Sequence, residues 1–174
     1  MNTLVLGGAR SGKSAFAETL ACEAASDRLY VATATAGDDE MAERIAHHRA
    51  RRGAGWRTIE EPLELVAVLA RETGAGRAVL VDCLTLWLSN LMHAERDVEA
   101  QTRELVACLR EARGAVVLVS NEVGLGLVPD TPLGRRFRDA QGRLNQAIAA
   151  VADNVVFIAA GLPLWLKRSQ RGAP

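Results

Sequence analysis

The chain has 174 residues, a length that suits one domain with a sizeable hydrophobic core. Its 21 Lys and Arg residues balance 21 Asp and Glu residues, so net charge gives no general attraction to nucleic acid. The three cysteines, Cys22, Cys83 and Cys108, form no C-x-x-C pair, which predicts reduced thiols in a cytoplasmic protein. No apolar run reaches the roughly 18 residues of a membrane span, and no signal-like segment opens the chain, so we expect neither.

The first pattern with chemical meaning is a glycine-rich loop between a predicted strand, residues 3–6, and a predicted helix, residues 13–25. It fits the G-x-x-x-x-G-K-S pattern of a phosphate-binding loop. Its members, all candidate nucleotide-binding residues, are Gly7, Gly8, Ala9, Arg10, Ser11, Gly12, Lys13 and Ser14. In such a loop, backbone N–H groups and the positive end of the helix attract phosphate. Lys13 would reach the β- and γ-phosphates and the Ser14 hydroxyl would hold Mg²⁺. The alternative, a glycine turn with an unrelated lysine, is disfavoured by the flanking strand and helix.

A second strand is predicted over residues 29–34, and the small residues at its end would leave room for a nucleotide. A helix is predicted from Asp38 to about Arg52, with acids in its first turn and arginines in its last. Residues 56–60 look extended. Proline is tolerated in a first helical turn, so the next helix is predicted from Pro62 to Arg71.

The strand predicted over residues 78–82 ends in Asp82, a candidate Mg²⁺ ligand because a carboxylate after a buried strand completes many phosphate-loop sites. Many strands end in Asp, so this pattern alone is weak. Helices are predicted over 84–93, 98–112 and from Pro132 to about 151, and strands over 115–120 and 154–159, the last clear strand. The tail after Lys167 is expected to fray.

This alternation of strands and helices predicts an α/β fold. We expect a three-layer, P-loop NTPase-like architecture with a mostly parallel central sheet flanked by helices, in a single domain over residues 1–174.

Two histidines, His47 and His48, lie among arginines in the segment 39–52. A neutral imidazole near a triphosphate can attack the α-phosphorus and release pyrophosphate, leaving a nucleotidyl-histidine. Neighbouring guanidinium groups would stabilise the phosphate charge. From spacing alone, two solvated surface histidines are the better interpretation.

Several motifs in the same order resemble the bifunctional adenosylcobinamide kinase / adenosylcobinamide-phosphate guanylyltransferase family of cobalamin assembly, and the resemblance covers nearly the whole chain. Besides the glycine loop, the motifs are residues 30–34, residues 40–45 with His48, Trp56 with Glu60 and Pro62, residues 81–85, residues 121–129, residues 137–139, and residues 142–145.

The resemblance implies two reactions. ATP or GTP phosphorylates the aminopropanol hydroxyl of adenosylcobinamide; GTP then guanylylates a histidine, and GMP passes to adenosylcobinamide phosphate. The family's R-I-x-x-H pattern places that catalytic histidine at His48, with His47 as the runner-up, and Lys13 is the second catalytic residue. By the same resemblance, the guanine nucleotide is lined by Ala32, Thr33, Ala34, Arg49, Ala50, Arg51, Arg52 and Glu60, with Asp82 beside the metal and nucleotide. The family also suggests a homo-oligomer, with a trimer expected, whose site is shared between subunits.

Two other classes of protein remain as alternatives. One is another small-metabolite kinase on the same scaffold, without nucleotidyl transfer. The other is a nucleotide-binding switch, but the chain lacks the N-K-x-D motif expected of a guanine-specific switch.

Overall fold

The computed structural model describes residues 1–34 and 55–169. The strands within these ranges are β1 (Asn2–Gly7), β2 (Asp27–Ala32), β3 (Trp56–Glu60), β4 (Arg77–Asp82), β5 (Ala115–Asn121), β6 (Asn154–Ala159) and β7 (Leu162–Lys167). The helices are α1 (Lys13–Ala24), α2 (Leu65–Glu72), α3 (Leu84–His93), α4 (Val98–Glu111) and α5 (Pro132–Val151). None of these helices is long and apolar enough to cross a membrane.

All the described strands belong to one sheet of seven strands in the order β3-β2-β4-β5-β1-β6-β7. Strands β1 to β6 are parallel, and β7 pairs antiparallel with β6. The carboxyl ends of the parallel strands therefore lie along one side of the sheet, which we call the carboxyl edge. Ligands of open parallel sheets bind at this edge.

The core has two parts, one on each face of the sheet, because side chains alternate between faces along a strand. Leu4 of β1 and Val79 of β4 pack with α2, α3, α4 and α5 on one face. Val5 and Leu80, one residue further along the same strands, pack with α1 on the other face. The result is a helix–sheet–helix arrangement of three layers, which confirms the predicted fold class.

Three predicted elements are wrong in detail. The strand predicted over residues 29–34 lies two residues earlier, at Asp27–Ala32. The helix expected from Pro62 begins at Leu65, because the Glu61 carboxylate accepts hydrogen bonds from the N–H groups of Leu63 (3.0 Å) and Glu64 (2.9 Å) and forms a turn before the helix. Strand β6 is not the last strand, since β7 follows it. The helix expected from Asp38 lies outside the described residues.

Strand β7 was not predicted because its leucines occupy the solvent-facing positions of the strand, where polar residues are usual. Leu162, Leu164 and Leu166 are exposed, whereas Trp165 packs on the α1 face and meets Phe16 edge to face at 6.1 Å. The turn before it uses Ala160 and Gly161 at positive φ angles of 50° and 80°. A glycine two residues after an apolar run was the available hairpin signal.

The buried centre of the sheet should carry much of the stability. Leu118 in β5 is fully buried, so Leu118→Ala should lower the free energy of unfolding by about 2–5 kcal/mol in urea titrations. Leu164→Ala removes the same atoms from a side chain that is 61% exposed and should cost far less. Equal losses from the two variants would contradict this assignment of the core.

Candidate active site

The glycine loop joins β1 to α1 at the carboxyl edge, and two of its glycines are required by the backbone. A Cβ on Gly7 would overlap the carbonyl oxygen of Ile158 and lie 2.7 Å from Ser11 Oγ. Gly12 precedes α1 in a left-handed conformation, with φ at 98°, that side chains other than glycine rarely adopt. The loop therefore packs tightly against β6 and turns directly into the first turn of α1.

Lys13 folds back against this loop. Its Nζ donates a hydrogen bond of 2.6 Å to the carbonyl oxygen of Gly8, and the residue is only 7% exposed. Burial lowers the pKa of the Lys13 ammonium, whereas the charge of the nearby Asp82 acts in the opposite direction. A phosphate beside the loop would supply the compensating negative charge that the buried ammonium favours.

The first turn of α1 can bind an anion. Its N–H groups have no acceptor within the helix. Gly12, which precedes the helix, has no side chain to accept hydrogen bonds from them. Ser11 Oγ is buried without a hydrogen-bond partner among the described residues, and Ser14 is half-buried next to Lys13. Phosphate oxygens would accept hydrogen bonds from such groups.

Asp82 ends β4 and lies on the same face of the sheet as α1, because it follows the alternation of Leu80 in that part of the core. Strand β5 separates β4 from β1, so the ends of β1 and β4 are about 10 Å apart across two strand spacings. The Tyr30 hydroxyl donates to Asp82 Oδ2 at 3.1 Å. Tyr30 is 4% exposed and meets the Trp56 ring edge to face, so it holds the carboxylate from a fixed position.

Hydrogen bonds from the side chains of Thr33 and Asn90 hold the segment after β2 in position. Thr33 is fully buried; its Oγ1 donates to the Cys83 carbonyl oxygen at 2.7 Å and accepts from the Cys83 N–H at 2.9 Å. Asn90 Nδ2 donates to the carbonyl oxygens of Thr33 (2.8 Å) and Pro62 (3.1 Å). Ala32 and Ala34 remain partly exposed on either side of Thr33. The Thr33 hydroxyl thus positions this segment beside Asp82.

Glu60 lies at the exposed end of β3, opposite Ala32 in the register of the sheet. The structure therefore brings Gly7, Ala32, Glu60 and Asp82 to the same edge. His47, His48, Arg49, Ala50, Arg51 and Arg52 lie outside the described residues.

Cys83 follows Asp82 but is not suited to act as a nucleophile. Burial, with the Asp82 charge as a smaller contribution, raises the pKa of its thiol to about 11. The thiol is therefore protonated near neutral pH, and the thiolate is the reactive form of cysteine.

A buried polar network that was not predicted from the sequence supports the glycine loop. Ser120 Oγ donates to Asn145 Oδ1 at 2.6 Å, and Asn145 Nδ2 donates to the Asn121 carbonyl oxygen at 3.1 Å. The next N–H, that of Glu122, donates to the Gly7 carbonyl oxygen at 3.0 Å. Gln141 and Asn145 are buried polar residues within the apolar stripe of α5, and these exceptions to the helix pattern were the available sequence signals.

The donor set fits Mg²⁺. Within residues 1–34 and 55–169, no three His, Cys, Asp or Glu side chains are grouped to hold a metal ion. Mg²⁺ instead prefers one or two protein oxygens together with substrate phosphates. The hydroxyl of Ser14 and the carboxylate of Asp82 are oxygen donors of this kind.

A strand, a tight glycine loop over a buried lysine and an acid at the end of a nearby strand define a P-loop nucleotide-binding protein. Two solved structures share the fold. The flagellar accessory protein FlaH from Methanocaldococcus jannaschii matches 99% of this chain and 80% of its own, with a TM-score of 0.60 and 13% identity. The type III secretion ATPase EscN from enteropathogenic Escherichia coli matches 91% of this chain and 43% of its own, with a TM-score of 0.57 and 9% identity. At these identities the likeness concerns the fold alone.

The model of the cobinamide kinase / cobinamide phosphate guanyltransferase family matches residues 3–166, and the chain belongs to this family. The bifunctional adenosylcobalamin biosynthesis protein CobP from Pseudomonas aeruginosa is 54% identical over 169 residues, covering 96% of this chain and 98% of CobP. CobU from Salmonella typhimurium is 40% identical over 182 residues, covering 96% of this chain and all of CobU. The family and the pair of enzyme activities expected from the sequence are thereby confirmed.

Removing the tyrosine hydroxyl should loosen the candidate metal ligand without unfolding the protein. Tyr30→Phe keeps the ring contact with Trp56 but deletes the hydrogen bond to Asp82, so the Mg²⁺ concentration that supports half-maximal nucleotide binding should rise about fivefold. Fluorescent-nucleotide titrations at several Mg²⁺ concentrations measure this. Thr102→Val, which deletes a hydroxyl on α4, is the control. An unchanged Mg²⁺ requirement in Tyr30→Phe would mean that Tyr30 does not position Asp82.

Proposed function

We propose that residues 1–174 form a single kinase and guanylyltransferase domain of adenosylcobalamin biosynthesis, acting in the cytoplasm. It transfers a phosphoryl group from ATP or GTP to adenosylcobinamide, and then transfers GMP from GTP to adenosylcobinamide phosphate. The products of the second reaction are adenosylcobinamide-GDP and pyrophosphate. The observation that carries the proposal is the buried Lys13, folded onto its glycine loop at the carboxyl edge.

In the kinase reaction, the hydroxyl oxygen of the aminopropanol arm attacks the γ-phosphorus. A new oxygen–phosphorus bond forms, the bond to the departing nucleoside diphosphate breaks, and the hydroxyl proton is released. Backbone N–H groups of the loop hold the phosphate tail, while the Lys13 ammonium stabilises charge on the transferred group. Ser14 and Asp82 would hold Mg²⁺, which would neutralise negative charge on the phosphates.

In the guanylyltransferase reaction, an imidazole nitrogen of His48 attacks the α-phosphorus of GTP and pyrophosphate departs. A phosphate oxygen of adenosylcobinamide phosphate then attacks the same phosphorus, the phosphorus–nitrogen bond breaks and the imidazole is regenerated. Ala32, Thr33, Ala34, Arg49, Ala50, Arg51, Arg52 and Glu60 are proposed to line the guanine nucleotide. The strand-end positions of Ala32 and Glu60 support this part of the proposal.

We also propose that the enzyme assembles as a homo-oligomer, a trimer, with each site completed by a neighbouring subunit. Sedimentation equilibrium tests the number of copies.

The direct test supplies adenosylcobinamide, ATP, GTP and Mg²⁺ to the protein and follows corrinoid and protein by mass spectrometry. The expected products are adenosylcobinamide phosphate and adenosylcobinamide-GDP, with a protein adduct of GMP when the corrinoid is omitted. Phosphorylation without any GMP transfer would indicate a small-metabolite kinase. Nucleotide binding without turnover of any corrinoid would indicate a switch.

Substitution of His48 should affect the two reactions differently. His48→Ala should abolish GMP transfer and the protein adduct, yet retain much of the kinase activity, because only GMP transfer needs a covalent imidazole. His47→Ala is the matched control and should keep both reactions. Equal loss of both activities in His48→Ala would show that His48 is structural, and loss of the adduct only in His47→Ala would assign the nucleophile to His47.

The two reactions should fail together at the lysine. Lys13→Ala should reduce both by at least about a hundredfold, since each requires the polyphosphate to be held. Corrinoid product analysis of each half-reaction measures this, with Lys167→Ala as a control because Lys167 bonds to carbonyl oxygens at the end of α5. Guanylyl transfer at the wild-type rate in Lys13→Ala would contradict a shared phosphate site.

A further inference from the structure

A hydrophobic loop begins beside the phosphate loop and connects β5 to α5. The Glu122 N–H donates to the Gly7 carbonyl oxygen at 3.0 Å, so the segment 122–130, which we call the leucine loop, starts against the glycine loop. Leu125, Leu127 and Val128 then stand in solvent, 83%, 95% and 64% exposed. Contiguous exposed apolar residues mark interaction or ligand-binding sites on soluble proteins.

The leucine loop is anchored at its far end. Arg135 Nη1 donates to the carbonyl oxygens of Pro129 and Asp130, both at 2.9 Å. Pro129 packs so closely on Gly134 that a Cβ there would lie 2.8 Å from the proline Cβ. The exposed leucines therefore belong to a segment held at both ends, by β1 and by the first turn of α5.

A cavity of about 360 Å³ adjoins this anchored end, between the last turn of α3 and the first turns of α5. Its walls include Met92, Leu133 and Phe137, and Gly134 connects it to Pro129 and hence to the leucine loop. The volume falls within the range of roughly 300–1,000 Å³ for small-molecule pockets. Leu133 is 56% exposed, so the apolar surface continues from the cavity on to its rim.

The polar groups of the cavity suit amides better than phosphates. Its remaining walls are Ser89, His93 and Thr131, so no Lys, Arg, Asp or Glu is among the described residues that line it. His93 Nδ1 lies 2.7 Å from the Ser89 carbonyl oxygen, which assigns the proton of the neutral ring to Nδ1. Nε2 of that ring is then a hydrogen-bond acceptor, complementary to an amide N–H.

We propose that the leucine loop and this cavity together bind the corrin ring of the acceptor substrate, a step that rests on the function proposed above. A corrin presents a broad apolar ring bordered by amide side chains. The loop leucines would cover the ring, and the cavity would take up amide side chains. Because the loop begins beside Gly7, a ring held there would lie close to the glycine loop, where its hydroxyl-bearing arm must react.

The test compares two double substitutions of exposed leucines. Leu125→Ser with Leu127→Ser removes two leucines, 83% and 95% exposed, from the leucine loop. Leu164→Ser with Leu166→Ser removes two less exposed leucines, at 61% and 58%, from β7. Equilibrium dialysis, read by corrin absorbance in the presence of a non-hydrolysable ATP analogue, measures the Kd for adenosylcobinamide. We expect the loop variant to bind it about tenfold more weakly and the β7 variant to bind it as the wild type does. Both should bind GTP with unchanged affinity, which also shows that they are folded.

Three outcomes overturn this assignment. Wild-type corrinoid affinity in the loop variant would place the ring elsewhere and leave the proposed function intact. Sedimentation velocity would detect an oligomer that dissociates in the loop variant. If the fraction that stays assembled binds the corrinoid with the wild-type Kd, the leucine loop is an interface between copies. Absence of corrinoid binding by the wild-type protein, with GTP binding preserved, would overturn the proposed function together with the corrin site.

Discussion

The structure depends on the close contact of a glycine loop with the end of a neighbouring strand. Gly7 lies against the Ile158 carbonyl oxygen of β6, where no side chain fits. This contact turns the chain out of the sheet and into α1, and it places Lys13 under the loop with its ammonium on the Gly8 carbonyl oxygen. A buried ammonium with few partners is unfavourable in an empty site and favourable beside a polyphosphate. The loop is thus arranged for an anion before one binds.

The strands around this loop contribute a main-chain N–H donor, a carboxylate and a buried hydroxyl. On one side, β5 brings Glu122 N–H to the Gly7 carbonyl oxygen, supported by the buried amide of Asn145. Two strands away, β4 ends in Asp82, which the Tyr30 hydroxyl holds on the α1 face. Beyond β4, Thr33 ties β2 to the residue after Asp82. These hydrogen bonds hold Asp82, Thr33 and the Glu122 N–H in place, so the groups proposed to bind phosphate, metal and nucleoside lie along one edge of the sheet.

Much of this could be predicted from sequence, because local patterns encode it. The spacing of Gly7, Gly12 and Lys13 follows from the geometry of a strand turning into a helix around phosphate. The apolar runs at residues 29–34 and 78–82 indicate buried parallel strands, although the first lies two residues earlier in the structure. What could not be predicted depends on contacts between distant segments. The contact of Tyr30 with Asp82 exists only because β2 pairs with β4, so the local sequence around Tyr30 does not predict it. The role of Asn145 likewise depends on the packing of α5 over β5. The leucines of β7 and of the leucine loop suggest burial by composition, yet they face solvent.

We propose that one phosphate site serves both transfers. The most direct measurement incubates the protein with GTP labelled at the α-phosphate, without corrinoid, and counts covalent label as a non-hydrolysable ATP analogue is added. In a parallel assay with adenosylcobinamide, the same analogue concentrations are shown to suppress nearly all corrinoid phosphorylation. A shared site predicts that labelling falls along the same curve as the kinase activity and recovers with excess GTP. If labelling continues undiminished while the kinase reaction is blocked, GTP must bind at a second triphosphate site. That result would contradict a shared site.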